Sequence, residues 1–71
     1  MIEPEEIEKL LNCYVAVGCP HFVVEGKLYY YYGFLRNINT DNIKIEKRDG
    51  FKIIPIEHVM EIHKVENNEI G

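Results

Sequence analysis

The two cysteines and three histidines of this chain could bind a metal ion, and the histidines could also exchange protons near neutral pH. They are Cys13, Cys19, His21, His58 and His63. Zinc sites usually place paired cysteines roughly two to four residues apart, whereas these two cysteines are more widely spaced and two of the histidines lie far along the chain. The spacing predicts no metal site and no cofactor. The group Cys19, Pro20 and His21 is the one place where metal binding stays open.

Enzymatic chemistry is not indicated either. Histidines and carboxylates are present, but no motif positions a nucleophile, a base and an orienting group together. The glycines are isolated along the chain, so the sequence lacks a glycine-rich loop of the kind that cradles phosphates. We therefore expect a non-enzymatic binding module.

Length and composition indicate a single small domain. Of the 71 residues, 46% are hydrophobic and 28% are charged, which is enough apolar surface for a core. No apolar run is long enough to span a bilayer, and the acidic start MIEPEEIEKLL differs from a basic signal peptide. We expect a cytoplasmic location and no membrane partner, and in that reducing compartment no disulfide between Cys13 and Cys19.

The net charge of −4 works against broad attraction to nucleic acid. One hairpin nevertheless carries several cations, with acidic residues interleaved among them. The cations are Lys44, Lys47, Arg48 and Lys52, and the acidic residues are Glu46 and Asp49. Mixed charge of this kind is typical of a solvated hairpin, and a small nucleic-acid contact is the alternative.

The elements that must position these residues begin with a helix. Pro4 suits a first helical turn, and the glutamates beside it suit the positive end of a helix dipole. Ile7, Leu10 and Leu11 then fall on one apolar stripe. The pattern predicts a helix over residues 4–12, which is too short to be stable alone and must pack on a larger structure.

From residue 13 the hydrophobic period changes to two, which indicates strands separated by turns. We predict a mainly β fold with a five-stranded, strongly bent SH3-type barrel over residues 13–65, and a polar, flexible tail at 66–71. An α+β sandwich with the helix on one face is the alternative. Gly33 favours the barrel, because glycine inside a strand marks a bend or a close backbone approach. The predicted strands are 13–18, 27–38, 43–47, 51–56 and a last one after a brief turn at 56–58.

Four consecutive tyrosines precede Gly33 in the longest predicted strand. Alternation places Tyr30 and Tyr32 on one face and Tyr29 and Tyr31 on the other. One pair is expected in the core, and the other either packs beneath the helix or forms part of a protein interface. A base-stacking platform ranks third, because such platforms normally lie in a positive groove.

The stretch YYYGFLRNINTDNIKIEK resembles the first signature of the Sm-like (LSm) ribonucleoprotein family. In that signature a bent second strand carries glycine-x-leucine, a hydrophobic residue, an aspartate and then an asparagine. Gly33, Leu35 and Ile38 fit this order, Asn39 stands where aspartate is usual, and Asn42 stands one residue before the usual asparagine. The stretch IIPIEHVMEI is similar to the hydrophobic skeleton of the second signature.

The resemblance implies an Sm-like barrel that forms a homo-oligomeric ring by pairing the fourth and fifth strands of neighbours. It also implies single-stranded, uridine-rich RNA as a partner, held by the loops at 39–42 and 56–58. Amide side chains can bond base edges, and an imidazole can stack on a base. The implied RNA-binding residues are Asn39, Asp41, Asn42 and His58, and the implied interface residues are Tyr29, Tyr31, Ile54, Ile56, Met60 and Ile62.

Two functions therefore stay open. The signature from Gly33 to Asn42 favours RNA binding by a homo-oligomeric ring. The acidic net charge, and Glu57-His58 where the family carries arginine-glycine, favour a protein-interaction or assembly module that does not bind RNA. Pro55 removes a backbone donor from the fourth strand, which is tolerated at a sheet edge or a bulge.

Overall fold

The chain folds as one short helix followed by five antiparallel strands, in a computed structural model that describes residues 2–65. This confirms the prediction of a mainly β fold with an amino-terminal helix and five strands. The predicted tail at 66–71 lies outside the described residues. The elements are α1 (Pro4–Glu8), β1 (Tyr14–Pro20), β2 (Leu28–Ile38), β3 (Asn42–Lys47), β4 (Gly50–Pro55), a 3₁₀ turn (Ile56–His58) and β5 (Glu61–Lys64).

The helix ends at Glu8, short of the predicted residue 12. Beyond it the backbone bonds span only three residues, as in the 2.9 Å bond from Leu10 N to Ile7 O, and Asn12 has a left-handed φ of 67°. Such tight bonds do not continue an α-helix, and asparagine enters the left-handed region more readily than most residues. Ile7 is fully buried, so the apolar stripe still packs the helix on the sheet. Within residues 2–65 no helix has the length and apolar character that a membrane crossing requires.

The five strands form one sheet in the order β4-β3-β2-β1-β5. Strands β4 and β5 are therefore its two edges, and the backbone pairing of the described residues does not close the sheet into a barrel. Edge strands present unpaired backbone donors and acceptors, which can pair with another chain.

The core lies on one face of the sheet and is completed by the helix. Val15 and Val17 of β1 and Ile43 and Ile45 of β3 are fully buried, as the alternation of their strands requires. Among the described residues no polar or charged side chain is buried. Stability therefore comes from aliphatic packing. The buried cluster is Ile7, Val15, Val17, Cys19, Leu35, Ile43, Ile45, Ile54, Ile56 and Val59.

Gly33 lies where β2 comes closest to β3. A Cβ at this position would lie 2.5 Å from Glu46 O and 2.5 Å from Ile45 Cγ2. Neither distance leaves room for a methyl group, so only glycine fits. Of the two features that a glycine in this strand predicted, a bend or a close backbone approach, the structure shows the close approach.

Strand β2 contains a bulge three residues after Gly33. Leu35 and Asn37 pair with successive residues of β3, which leaves Arg36 as the extra residue. Leu35 before the bulge and Ile38 after it both pack on the core. The bulge therefore reverses the order in which residues of β2 face inward and outward.

Candidate ligand-binding site

The loop between β2 and β3 is held in shape by Asn39. Asn39 Oδ1 accepts hydrogen bonds from Asp41 N and Asn42 N, both at 2.8 Å, and Asn39 Nδ2 donates to Asn42 Oδ1 at 3.3 Å. A side chain that bonds the backbone two and three residues ahead fixes a tight turn. The side chain of Asn39 is therefore committed to the loop. These bonds do not involve the Asp41 carboxylate or the Asn42 amide nitrogen, so both groups are available to a ligand.

The loop at 39–42 is joined to the 3₁₀ turn by the backbone. Ile56 N donates to Asp41 O at 2.9 Å, and Asn42 pairs with Pro55 at the end of β4. Because Pro55 is the last residue of an edge strand, its missing N–H is tolerated there. The structure thus brings together the two segments in which RNA-binding residues were predicted.

The His58 side chain lies in a different cleft from the asparagines. It lines a cleft of about 380 Å³ between the end of β1 and β4. Asn39 and Asn42 line a smaller cleft of about 140 Å³, which shares only Ile53 with the first. The larger cleft is lined by Cys19, Pro20, His21, Phe22, Tyr31, Lys52, Ile53, Ile54, Pro55 and His58.

The lysines of the β3–β4 hairpin divide between the two faces of the sheet. Lys47 Nζ and Lys52 Nζ lie 5.9 Å and 5.0 Å from the ring centroid of Tyr31, and Lys44 Nζ lies 4.4 Å from that of Phe51. The ion pairs found within residues 2–65 include none of these three lysines. Their partners are aromatic rings, which attract cations.

The four tyrosines alternate between the faces as predicted. Tyr31 packs against the core, and its ring centroid lies 4.9 Å from that of Tyr29. Tyr30 and Tyr32 are exposed on the opposite face. Tyr30 Oη donates to Glu61 Oε1 at 2.9 Å, and this bond to a carboxylate raises the pKa of Tyr30 above its ordinary value.

The helix does not cover a tyrosine pair. Pro4 and Glu8 of α1 line a shallow cleft together with Ile38 and Asn39, at the end of β2 that lies away from the tyrosines. The expectation that one pair packs beneath the helix is therefore corrected. The exposed tyrosine side chains remain available to a ligand or to another chain.

Two of the predicted interface residues belong to the core. Ile54 and Ile56 are only 2% and 5% exposed, which differs from the prediction and follows from the inward phase of β4 at Ile54. Tyr29 is exposed, whereas Tyr31 and Ile62 pack partly on the core. The large hydrophobic side chains that are exposed on or beside the edge strands are Phe51, Ile53 and Met60.

The loop between β1 and β2 is organised by His21. Val23 N and Val24 N both donate to His21 Nδ1 at 3.1 Å. The backbone bond from His21 N to the last residue of the loop closes it. This turn presents Phe22 at the rim of the larger cleft with 96% of its surface exposed.

Cysteine chemistry is limited at this cleft. Both Cys13 and Cys19 are free thiols. Burial raises the pKa of the Cys19 thiol above its ordinary value, and the charge of Lys52 offsets part of this effect. Among the described residues no three metal-binding side chains come together. Because metal ions bind the thiolate, a neutral buried thiol is a weak ligand.

Phe22 was not identified as a site residue from the sequence, and Lys47 and Lys52 were named there only within the alternative of a small nucleic-acid contact at the hairpin. Lys47 and Lys52 stand two positions from the buried Ile45 and Ile54, so strand alternation could have placed both lysines on the core face. Phe22 lies in a loop, and the alternation of side chains along a strand does not predict how a loop residue is exposed.

No protein-family model matches the chain, and no curated protein and no solved structure matches it significantly. A functional assignment therefore rests on the geometry of these side chains.

Proposed function

We propose that this chain is an Sm-like module that self-associates through its edge strands and binds single-stranded RNA at the loop 39–42 and the turn 56–58. The observation that carries the proposal is the hydrogen bond from Ile56 N to Asp41 O, which joins these two segments. Because this bond holds the turn against the loop, Asp41 and Asn42 meet a ligand in a preformed arrangement, which lowers the ordering cost of binding.

The chemistry of the loop suits a base edge better than a phosphate. The Asn42 amide nitrogen donates hydrogen bonds, and the Asp41 carboxylate accepts them. Uracil presents carbonyl oxygens beside an N–H group, so a donor and an acceptor on one loop match its edge. A phosphate would instead be repelled by Asp41.

The shape of the sheet supports the Sm-like assignment. Strand β2 contains the close approach at Gly33 and the bulge at Arg36, and a bulge bends the strand that contains it. The sheet is open, so its edge strands β4 and β5 present unpaired backbone groups. In the proposed assembly β4 pairs with β5 of a second copy, and the sheets of neighbouring copies join in a closed ring.

A second function has its own support. Phe22, Phe51 and Ile53 are at least half exposed, and the net charge is −4. Exposed aromatic side chains are enriched in protein interfaces. An assembly module that does not bind RNA would use the same edges and would leave Asp41 and Asn42 without a ligand.

RNA binding is tested by fluorescence anisotropy with a labelled oligo-uridine. Replacing Asn42 with alanine removes a donor to the base and is expected to weaken binding by roughly 3- to 10-fold, the value of one hydrogen bond. Thr40→Ala changes an exposed side chain of the same loop and is the matched control. Absence of salt-sensitive binding by the unmodified protein would refute the RNA function and leave the assembly module.

Self-association is tested by light scattering. Ile53 is 50% exposed on the edge strand β4, and Tyr32 is 51% exposed on the central strand β2. Lysine blunts sheet edges, so Ile53→Lys should shift the protein towards a monomer while Tyr32→Lys should not. If the unmodified chain is already a monomer at high concentration, edge pairing is wrong.

A further inference from the structure

The larger cleft has the dimensions and lining of a ligand site. Its volume of about 380 Å³ lies within the roughly 300–1,000 Å³ that small-molecule sites occupy. Cys19 and Ile54 are buried beneath it and provide an apolar floor. Polar groups stand around this floor, which is the usual arrangement where a ligand must be both buried and oriented.

Aromatic rings form a row that enters this cleft. The ring centroids of His21 and Tyr29 are 6.2 Å apart, and those of Tyr29 and Tyr31 are 4.9 Å apart. Tyr31 lines the cleft, and Phe22 is fully open to solvent at its rim. Rings at such spacings provide faces on which planar groups can stack.

Positive charge accompanies the row. Lys52 lines the cleft, Lys47 stands over the same Tyr31 ring, and neither forms an ion pair within residues 2–65. The net charge of the chain is −4, yet these two ammonium groups lie beside one aromatic ring without carboxylate partners. Packing of the core does not require this arrangement. Base-stacking platforms combine stacking rings with cations that contact the phosphate backbone.

We infer that this cleft is a second nucleotide subsite, which takes a base of single-stranded RNA against Tyr31 and Phe22 and the adjacent phosphate at Lys52 and Lys47. The inference rests on the proposed RNA binding and extends it to a second place on the chain. An acidic peptide would satisfy the lysines but would leave the rings without a planar partner, whereas a nucleotide supplies both groups.

The two subsites are continuous along β4. Pro55 and His58 line the cleft, and Pro55 pairs with Asn42 of the loop that binds the first base. A strand that leaves this loop therefore passes His58 before it reaches Tyr31. The base-specific contacts lie at the loop, and the second subsite adds stacking and charge without reading the base edge.

The test compares neighbouring tyrosines on opposite faces of one strand. Tyr31→Leu should weaken the binding of labelled oligo-uridine by roughly 5- to 100-fold, the range measured for loss of base stacking. Tyr32→Leu is the matched control and should leave the dissociation constant unchanged. Tyr31→Phe keeps the ring and should bind like the unmodified protein.

The charge contact has its own measurement. Lys52→Ala should reduce the slope of log K against log salt by about 0.7, the value for one phosphate contact on a single strand. Lys9→Ala changes the net charge equally, but Lys9 lies on the helix segment and faces Glu6. It should leave the slope unchanged. Because Lys52 lies over the ring and is not fully buried, this variant tests the subsite even if Tyr31→Leu fails to fold.

The outcomes separate the two proposals. If Asn42→Ala weakens binding but Tyr31→Leu and Lys52→Ala match their controls, the second subsite is wrong and the loop site stands. Equal losses in Tyr31→Phe and Tyr31→Leu would also overturn it, because the ring would then not be responsible. Displacement of the RNA by poly-glutamate as effectively as by unlabelled oligo-uridine would assign the cleft to acidic peptides. If the unmodified protein binds no RNA, both proposals are refuted.

Discussion

Replacement of Gly33 by alanine tests whether the close approach of β2 and β3 determines the fold. The added methyl would lie 2.5 Å from Glu46 O and from Ile45 Cγ2, whereas ordinary contacts begin at 3.4 Å. A shortfall of about 0.9 Å against a backbone atom cannot be relieved by rotating a side chain. The neighbouring strand must move, and overpacking of this kind costs about 1–3 kcal/mol.

A smaller effect acts in the opposite direction. Alanine restricts the unfolded chain and by itself stabilises a compatible site by about 0.4–1 kcal/mol. The destabilisation caused by the clash exceeds this gain, so we expect a net loss of about 1–2 kcal/mol in the free energy of unfolding. For a domain of this size each kcal/mol lowers Tm by roughly 4–8 °C, so Tm should fall by roughly 4–16 °C.

Thermal unfolding followed by circular dichroism measures this change, with Gly18→Ala as the control. A Cβ at Gly18 would meet Tyr30 Cε1 at 3.0 Å and Leu28 Cδ1 at 3.2 Å, both of which are side-chain atoms that can move. Its Tm should therefore fall less than that of Gly33→Ala. An unchanged Tm for Gly33→Ala, or a larger loss at Gly18, would show that the approach at Gly33 does not constrain the sheet.

Two further predictions concern the core face. Ile54→Ala should cost about 2–5 kcal/mol in urea unfolding because Ile54 is buried, whereas Ile53→Ala should change stability by less than about 0.5 kcal/mol; similar losses at both positions would contradict the assigned strand phase. In a Cys13→Ser background, Cys19 should react with iodoacetamide more slowly in the folded protein than in urea at the same mildly alkaline pH, because burial raises its pKa and disfavours the thiolate. Equal alkylation rates in the folded protein and in urea would contradict the raised pKa of Cys19. The same pKa shift affects stability: the contribution of the neutral thiol is complete below the unfolded pKa and is lost as pH rises through the raised folded pKa.

The sequence predicted the elements well because most of the signals are local. Gly33 interrupts a strand pattern, which predicted either a bend or a close backbone approach without any knowledge of β3. The turn at 56–58 and the hairpin before Phe51 were likewise marked by residues that favour turns. The end of the helix was missed because the apolar stripe continues to Leu11, while the backbone at Asn12 turns away.

The site was harder to predict because it depends on contacts across the sheet. Ile54 and Phe51 are both apolar residues of β4, and only the observed strand phase shows which of them is exposed. The bond between Ile56 N and Asp41 O connects distant parts of the chain. From the sequence, the lysines over Tyr31 were interpreted as part of a hairpin of mixed charge, because composition does not show on which face of the sheet a charge lies.

The bulge at Arg36 has a consequence for protein engineering. In β2 the odd-numbered positions up to Leu35 face inward, and after the bulge the even-numbered Ile38 does so. A graft of this strand into another scaffold must therefore either reproduce the bulge or omit Arg36. In a regular ladder that kept Arg36, the residues after it would turn over and carry the loop that follows, with Asp41 and Asn42, to the other side of the sheet. Without Arg36, Asn37 and Ile38 would keep Lys44 and Ile43 as their partners and would keep their faces.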